Sequence, residues 1–209
     1  MTVYSFRTLP DHLRNGLDLV FIGINPGIFS VERGHYFARA TSRFWPAFSK
    51  SNLSEPIRRE LKVERLTPEH DSLLPRFGIG LTDLIKRPSA NASELTPAEF
   101  EQWVPHLVEE LLRYQPRVAC FHGLTAFRPF LRFALRSDRK ASLGPQPEAL
   151  SWSAERRMND LRVNPAPCAT RLFVVPNPSP ANAHFTPRDQ AQWYDRLADF
   201  INSLERQCD

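Results

Sequence analysis

The apolar residues of the chain concentrate in four compact runs, at residues 17–24, 78–84, 117–122 and 171–175. Gly, Pro or Asn residues bound these runs. Continuous apolar runs of this length, without a polar residue at every second position, are typical of strands covered on both faces. The pattern therefore predicts four buried strands of a parallel sheet.

Helical patterns lie between the apolar runs. We predict helices over residues 42–53, 97–114, 124–135 and 187–204. Thr96 and Thr186 precede two of these segments and are predicted N-caps. Thr96 is followed by Pro97 at the first helical position and by Glu99 at the capping-box position, which strengthens the assignment of that helix start.

Alternation of strands and helices predicts an α/β fold, because parallel strands need helical crossovers on the faces of the sheet. We expect a single three-layer α/β/α domain over residues 1–209 with a central, mainly parallel sheet. The Pro-rich stretch 144–167 fits neither pattern. We interpret it as an irregular insertion with one short helix near residues 154–160.

Length and composition agree with one soluble globular domain. The chain has 209 residues, of which 42% are hydrophobic and 24% charged, enough apolar surface to fill a core. The longest apolar run is far shorter than the roughly 20 residues of a membrane helix, and residues 1–15 lack the apolar stretch of a secretory signal. We therefore expect no membrane association and a cytoplasmic location, or a nuclear one in a eukaryote.

Charge leaves two interpretations open. The net charge is +4, and residues 127–171 carry a marked excess of basic over acidic side chains. Such an uneven distribution suits a polyanionic partner, and it equally suits a solvated basic face.

The cysteines Cys120, Cys168 and Cys208 are scattered without CxxC spacing, which argues against a disulfide framework, a four-thiolate zinc site and an iron–sulfur cluster.

Two similar motifs follow the first and last predicted strands. Asn25-Pro26 ends the first strand and Asn177-Pro178 ends the last. Either motif alone could be a tight turn. Ligands of parallel α/β sheets bind at the carboxyl ends of the strands, where a Pro-stiffened backbone would hold an uncharged side chain for catalysis.

The order of the motifs resembles that of a known family. The motifs are Gly23-Ile24-Asn25-Pro26-Gly27, Gly34-His35-Tyr36-Phe37, Arg43-Phe44-Trp45, Gly78-Ile79-Gly80-Leu81-Thr82-Asp83, Tyr114-Gln115-Pro116-Arg117 and Asn177-Pro178-Ser179. Over residues 18–204 the chain resembles the mismatch-uracil/thymine branch of the uracil-DNA glycosylase superfamily. The resemblance implies a uracil-DNA glycosylase-like fold and a monofunctional enzyme without lyase activity that hydrolyses the uracil–deoxyribose bond and initiates base excision repair. It also implies a monomer that acts on uracil-containing DNA and needs neither a cofactor nor a metal.

The resemblance assigns roles to individual residues. A base inside a duplex is inaccessible, so the nucleotide must rotate into a pocket, where Phe37 would stack on the base. Asn25 would orient the attacking water, and Asn177 would donate to uracil O2. Because Asn cannot ionise water, catalysis would depend on positioning and would vary little with pH near neutrality. The other residues expected at the base are Ile24, Gly27, Ser30, Tyr36 and Ser42, and those expected at the DNA are Arg43, Ser179, Pro180, Ala181, Asn182 and His184.

Three positions either have a second possible role or depart from the family pattern. Asp83 ends the second strand, where its carboxylate could activate water or cap a helix. Ser42 stands where close relatives have Asn, which shortens the polar reach at that position. Ala181 stands where relatives insert Leu or Arg into the duplex, so that we expect a weak wedge unless Asn182 or His184 replaces it.

Three other function classes differ in how well the sequence supports them. A zinc nucleobase deaminase would need a His-x-Glu motif, which does not occur. No Gly-x-Gly-x-x-Gly motif follows a strand, which argues against a dinucleotide site. A noncatalytic DNA-damage-binding domain on the same fold stays open as the alternative, although Asn25 and Phe37 favour an enzyme.

Overall fold

A five-stranded sheet forms the centre of the computed structural model, which describes residues 5–152, 168–182 and 184–204. The strands are β1 (Leu19–Gly23), β2 (Ile79–Asp83), β3 (Val118–His122), β4 (Gly144–Ser151) and β5 (Ala169–Val175). Their order is β2-β1-β3-β5-β4. The strands β2, β1, β3 and β5 are mutually parallel, whereas β4 pairs antiparallel with β5. The four predicted strands are therefore confirmed.

The antiparallel strand β4 corrects the interpretation of the Pro-rich stretch. Residues 144–151 form an edge strand with a register shift between Pro145 and Ala149, so an irregular insertion is the wrong description there. Prolines are tolerated on an edge strand, where one side of the backbone has no partner strand, and at bulges. The helix expected near residues 154–160 lies outside the described residues. Cys168, just before β5, is disulfide-bonded, which the cysteine spacing did not predict.

Helices cover both faces of the sheet, which confirms the three-layer prediction. They are α1 (Ile28–Arg33), α2 (Phe44–Phe48), α3 (Glu55–Leu61), α4 (Pro97–Tyr114), α5 (Leu124–Phe133) and α6 (Pro187–Ser203). Successive residues of β1 point to opposite faces, so that Val20 joins a core with α4 and α5. Phe21 joins the other core, with α2, α3 and α6. All five residues of β1 are buried, as expected for a central strand covered on both sides.

The predicted starts of α4 and α6 are confirmed. Thr96 and Thr186 each accept a hydrogen bond from the backbone N–H three residues on, within a capping box. The helix predicted over residues 42–53 is shorter, because α2 ends at Phe48 and a 3-10 turn follows at Asn52–Ser54. Sequence patterns missed α1, α3 and the 3-10 segment Pro68–Phe77. None of the helices within the described ranges combines the length and the apolar character that crossing a bilayer requires.

Candidate active site

A cleft opens where the carboxyl ends of β1, β2, β3 and β5 meet. Its volume is about 210 Å³, below the roughly 300 Å³ at which pockets for drug-sized ligands begin. That size favours a single heterocycle over an extended dinucleotide. Ten residues predicted at the site line this cleft: Ile24, Asn25, Gly27, Ser30, Phe37, Ser42, Asp83, Asn177, Ser179 and Pro180.

Asn25 is held by its amide nitrogen. Asn25 Nδ2 donates to Ser89 Oγ at 2.8 Å and to the Arg87 carbonyl at 3.0 Å. The Ser89 hydroxyl donates in turn to the Asn91 carbonyl at 2.8 Å, so it can only accept from Asn25. Because the amide hydrogens are engaged, the Asn25 side chain presents its carbonyl oxygen, an acceptor, to the cleft.

Asn177 is held by its side-chain oxygen, whereas Asn25 is held by its side-chain nitrogen. Its Oδ1 accepts the Ser179 N–H at 2.9 Å, a turn typical of Asn before a Pro-Ser sequence. The Asn177 Nδ2 group is therefore the part left to donate into the cleft. Gly123, with φ of +93°, allows the segment after β5 to approach the start of α5, since a Cβ there would lie 2.9 Å from Asn177 Cβ. The two asparagines thus offer one acceptor and one donor.

Aromatic rings form one wall of the cleft. Phe37 stacks on Phe44 with ring centroids 4.2 Å apart, and its edge-on neighbour His122 lies at 5.4 Å. Phe37 has a φ of +54°, a left-handed conformation that is unusual for a bulky residue and common at functional sites. The Ser30 hydroxyl accepts the Ala38 N–H at 3.2 Å and so holds the segment after Phe37.

His122 is a buried and neutral part of that wall. Its side chain is 1% exposed, and burial lowers the pKa of His122 to about 3. The His122 Nε2 atom lies 3.0 Å from Tyr194 Oη. A neutral imidazole at this position cannot supply a positive charge to the cleft.

Asp83 brings a carboxyl group into the cleft. It is 5% exposed, and a Cβ on Gly23 would collide with Asp83 Oδ1, so the carboxyl group packs against the backbone of β1. Burial raises the pKa of Asp83 to about 7, against the opposing effect of the Lys86 ammonium group and with a further rise from the Asp11 carboxylate. No helix begins at Asp83, because the next helical turn starts after Asn91. The alternative role of Asp83 as a helix cap is therefore excluded.

Tyr36 lies away from the cleft. Its backbone N–H donates to Asp71 Oδ2 at 2.9 Å, and its Oη lies 3.5 Å from Asp11 Oδ1. The ring is buried beside His12 in the core below the cleft. The structure therefore does not bring Tyr36 together with the other residues predicted at the base.

Hydrogen bonds hold the segment that follows Asn177. Arg43 Nη1 donates to the Asn182 carbonyl at 2.7 Å and also to the Phe185 carbonyl. Asn182 Nδ2 donates to the Asn177 carbonyl at 3.0 Å. Arg43 and Asn182 thus fix the shape of this segment. Ala181, Asn182 and His184 line a second cavity beside the cleft, with Ala181 and His184 exposed.

The residues of the cleft that sequence reasoning missed include Ser89 and Arg39. Ser89 orients Asn25 from a segment 64 residues away in the chain, and only the fold brings the two together. The Arg87-Pro88-Ser89 sequence after the second strand was the available signal, since a Pro-containing loop at a strand end is where ligands bind in such sheets.

Comparisons with known proteins bear on the identity of this cleft. The family model described as "Uracil DNA glycosylase superfamily" matches residues 10–200. Over 113 residues the chain is 34% identical to a G/U mismatch-specific uracil DNA glycosylase of Schizosaccharomyces pombe. That match covers 54% of this chain and 33% of the relative, so the chain spans about a third of the length of that curated protein.

A solved structure is similar over most of the chain. It is the solution NMR structure of a candidate uracil DNA glycosylase from Methanosarcina acetivorans, 18% identical in sequence. The similarity covers 94% of this chain and 98% of the other, with a TM-score of 0.49.

Proposed function

The chain belongs to the uracil DNA glycosylase superfamily, and from this premise we propose that it is a monofunctional DNA glycosylase. Its substrate is uracil in DNA, notably in G·U mispairs, and its product is an abasic site that initiates base excision repair. The observation that carries the proposal is the fixed orientation of Asn25, whose engaged amide hydrogens leave a carbonyl oxygen for a water molecule. The mismatch activity of the fission-yeast relative supports the choice of substrate.

The geometry supports catalysis by positioning. A flipped base would stack on Phe37, between the water held by Asn25 and the donor of Asn177. Cleavage gives the sugar oxocarbenium character and leaves negative charge on the uracil, which the Asn177 Nδ2 group and nearby backbone amides stabilise. The water attacks C1′ as the C1′–N1 bond breaks, and the uracil leaves as its anion.

Asp83 supplies a second polar group for the water. With its pKa near 7, the carboxyl group is ionised in about half of the molecules at neutral pH. In the ionised form it accepts a proton from the attacking water, a step that Asn25 cannot perform. We therefore assign Asp83 the role of general base and Asn25 the role of positioning the water.

The absence of a lyase step is also part of the proposal. A lyase needs an amine that forms a Schiff base with the sugar. No lysine occurs among the described residues that line the cleft. Lys86 is buried and donates to Asp11 Oδ1 at 2.5 Å and to Thr82 Oγ1 at 2.7 Å, so its amine is engaged below the cleft.

One assay separates the enzyme from a noncatalytic DNA-damage-binding domain. Duplexes with a single G·U pair are incubated with excess protein and then treated with alkali, which breaks the strand at an abasic site. Strand breakage only after alkali is expected, and a matched duplex with thymine paired to adenine is the control. Binding of the G·U duplex without any breakage would establish the binding domain and exclude the glycosylase.

We expect uracil to be removed much faster than thymine from pairs with guanine. The cleft is small, and Ser30 in its wall is held by a hydrogen bond from the Ala38 N–H, which opposes the shift that a methyl group would need. Accommodating or rejecting one methyl group is worth about 10- to 200-fold in rate. Single-turnover rates on otherwise identical G·U and G·T duplexes measure this ratio, and equal rates would contradict the prediction.

The small side chain of Ala181 predicts a ranking of substrates. Flipping a base from a sound pair costs a few kcal/mol, and less from a mispair or a single strand. Excision should therefore be faster for G·U and for single-stranded uracil than for A·U. Ala181→Leu should raise the A·U rate most, by about three- to tenfold, because the larger apolar side chain can be buried in the vacated space.

Single-turnover rates on the three substrates, for the wild type and for Ala181→Leu, test this ranking. Equal wild-type rates, together with no effect of the substitution, would show that another residue fills the duplex. His184 would then be the next residue of this segment to substitute, since it is exposed whereas Asn182 is tied to the Asn177 carbonyl.

A further inference from the structure

An exposed isoleucine, Ile28, directly follows Gly27, which lines the cleft. Ile28 is 46% exposed, and Leu112 on α4, at 36%, is the other large apolar side chain that stands out on the described surface. A single exposed apolar residue needs no explanation by itself. Its position beside the catalytic segment is what distinguishes Ile28 from Leu112.

The backbone fixes Ile28 relative to the cleft. Ile28 is the first residue of α1 and directly follows the segment Asn25-Pro26-Gly27. Its N–H donates to the Ser89 carbonyl at 3.3 Å, and the hydroxyl of the same Ser89 holds Asn25. Gly27 before it and Ser30 after it both line the cleft. Any strand whose base reaches Asn25 must therefore pass close to Ile28.

The neighbours of Ile28 are suited to a DNA backbone. The Arg33 guanidinium lies 5.2 Å from the centre of the Phe29 ring, and that of Arg39 lies 5.8 Å from it. Arg39 also lines the cleft. Neither arginine forms an ion pair with a carboxylate within the described ranges, so both charges are available to a polyanion.

We propose that Ile28 inserts into the duplex beside the extruded nucleotide, while Arg33 and Arg39 face the phosphates of the DNA. Proteins that insert apolar side chains between base steps also use Arg or Lys side chains to contact the DNA, and Arg33 and Arg39 beside Phe29 could serve in this way. The vacancy left by a flipped base needs a side chain that fills it, and Ala181 is too small to provide one. This inference rests on the proposed glycosylase function and names a second DNA contact for the same site.

The test compares single-turnover excision from an A·U duplex with excision from single-stranded uracil. Ile28→Ala should lower the ratio of the duplex rate to the single-strand rate by at least about fivefold, because only the duplex contains a stack to be filled. Ile28→Leu should restore most of the ratio. Leu112→Ala, which removes the other exposed apolar side chain, should leave both rates unchanged. A proportional loss on both substrates, or no loss on either, would overturn the proposal.

A binding measurement keeps the test independent of catalysis. A duplex with 2-aminopurine next to the uracil increases in fluorescence when the neighbouring base is unstacked. Wild type and Leu112→Ala should produce this increase, and Ile28→Ala should produce less than half of it at saturating protein. If wild type cuts neither substrate, the proposed function fails, but the fluorescence still decides the role of Ile28. Equal signals for wild type and Ile28→Ala would refute that role.

Discussion

Asn25→Ala should lower single-turnover excision of uracil by at least about 100-fold, the cost of losing one positioned group that acts in the transition state. Alanine removes the carbonyl oxygen that the hydrogen bonds to Ser89 and Arg87 direct towards the cleft. It leaves the strands and the stacking wall of Phe37 in place. The affinity for DNA should therefore change little, and the loss should appear in the chemical step.

Asn15→Ala provides the matched control. Asn15 is exposed near the amino end of β1, opposite the cleft, so its substitution should leave excision at the wild-type rate. Circular dichroism and DNA binding by fluorescence anisotropy establish that both variants are folded. Wild-type excision by Asn25→Ala would remove the central residue from the proposed site and leave Asp83 as the group to examine.

Asp83→Asn should remove a pH dependence that the wild type shows. The pKa of Asp83 is raised to about 7 because the carboxyl group is buried, so lowering the pH below 7 protonates it. Below pH 7 the ionised form of Asp83 becomes rarer, so the wild-type rate of the chemical step should fall about tenfold for each unit by which the pH is lowered. The asparagine variant should be slower at pH 8 and nearly independent of pH. Single-turnover rates between pH 5.5 and pH 8.5 measure both profiles.

Asp83→Asn should slow excision at pH 8, but it should raise the stability of the folded protein at that pH. A carboxyl group ionises near pH 3.9 in an unfolded chain, whereas that of Asp83 ionises at about 7 in the folded one. Between these values the folded state binds the extra proton, so its stability falls as the pH rises, and the loss is complete above pH 7. Asparagine avoids a loss of about 4 kcal/mol over this range.

Urea unfolding at pH 4 and pH 8 measures that difference. The gain in the free energy of unfolding of Asp83→Asn over wild type should be much larger at pH 8. Asp199→Asn, on the exposed face of α6, is the control and should show no such pH dependence. A constant difference between Asp83→Asn and wild type at the two pH values would mean that Asp83 ionises normally in the folded protein.

The sequence by itself determined the parallel strands, the starts of α4 and α6, and the meeting of Asn25 with Asn177. The strands and the helix starts depend on local sequence patterns, and the meeting of the two asparagines depends on a general rule for parallel sheets. Apolar runs predict buried strands, Thr with an acidic residue three positions on caps a helix, and the carboxyl ends of parallel strands share one edge of a sheet. The other residues predicted in the cleft, among them Phe37 and Ser42, were expected from the family resemblance and not from that rule.

The tertiary structure decided what depends on contacts between distant segments. An edge position allows β4 to keep its prolines, and packing turns Tyr36 towards Asp11 and Asp71 instead of the cleft. Sequence analysis predicted little variation with pH because Asn does not titrate. The burial of Asp83 against Gly23 is visible only in the fold, and the raised pKa of its carboxyl group leads us to propose a pH-dependent rate instead, since a pKa depends on how much water and charge surround the group in the folded protein.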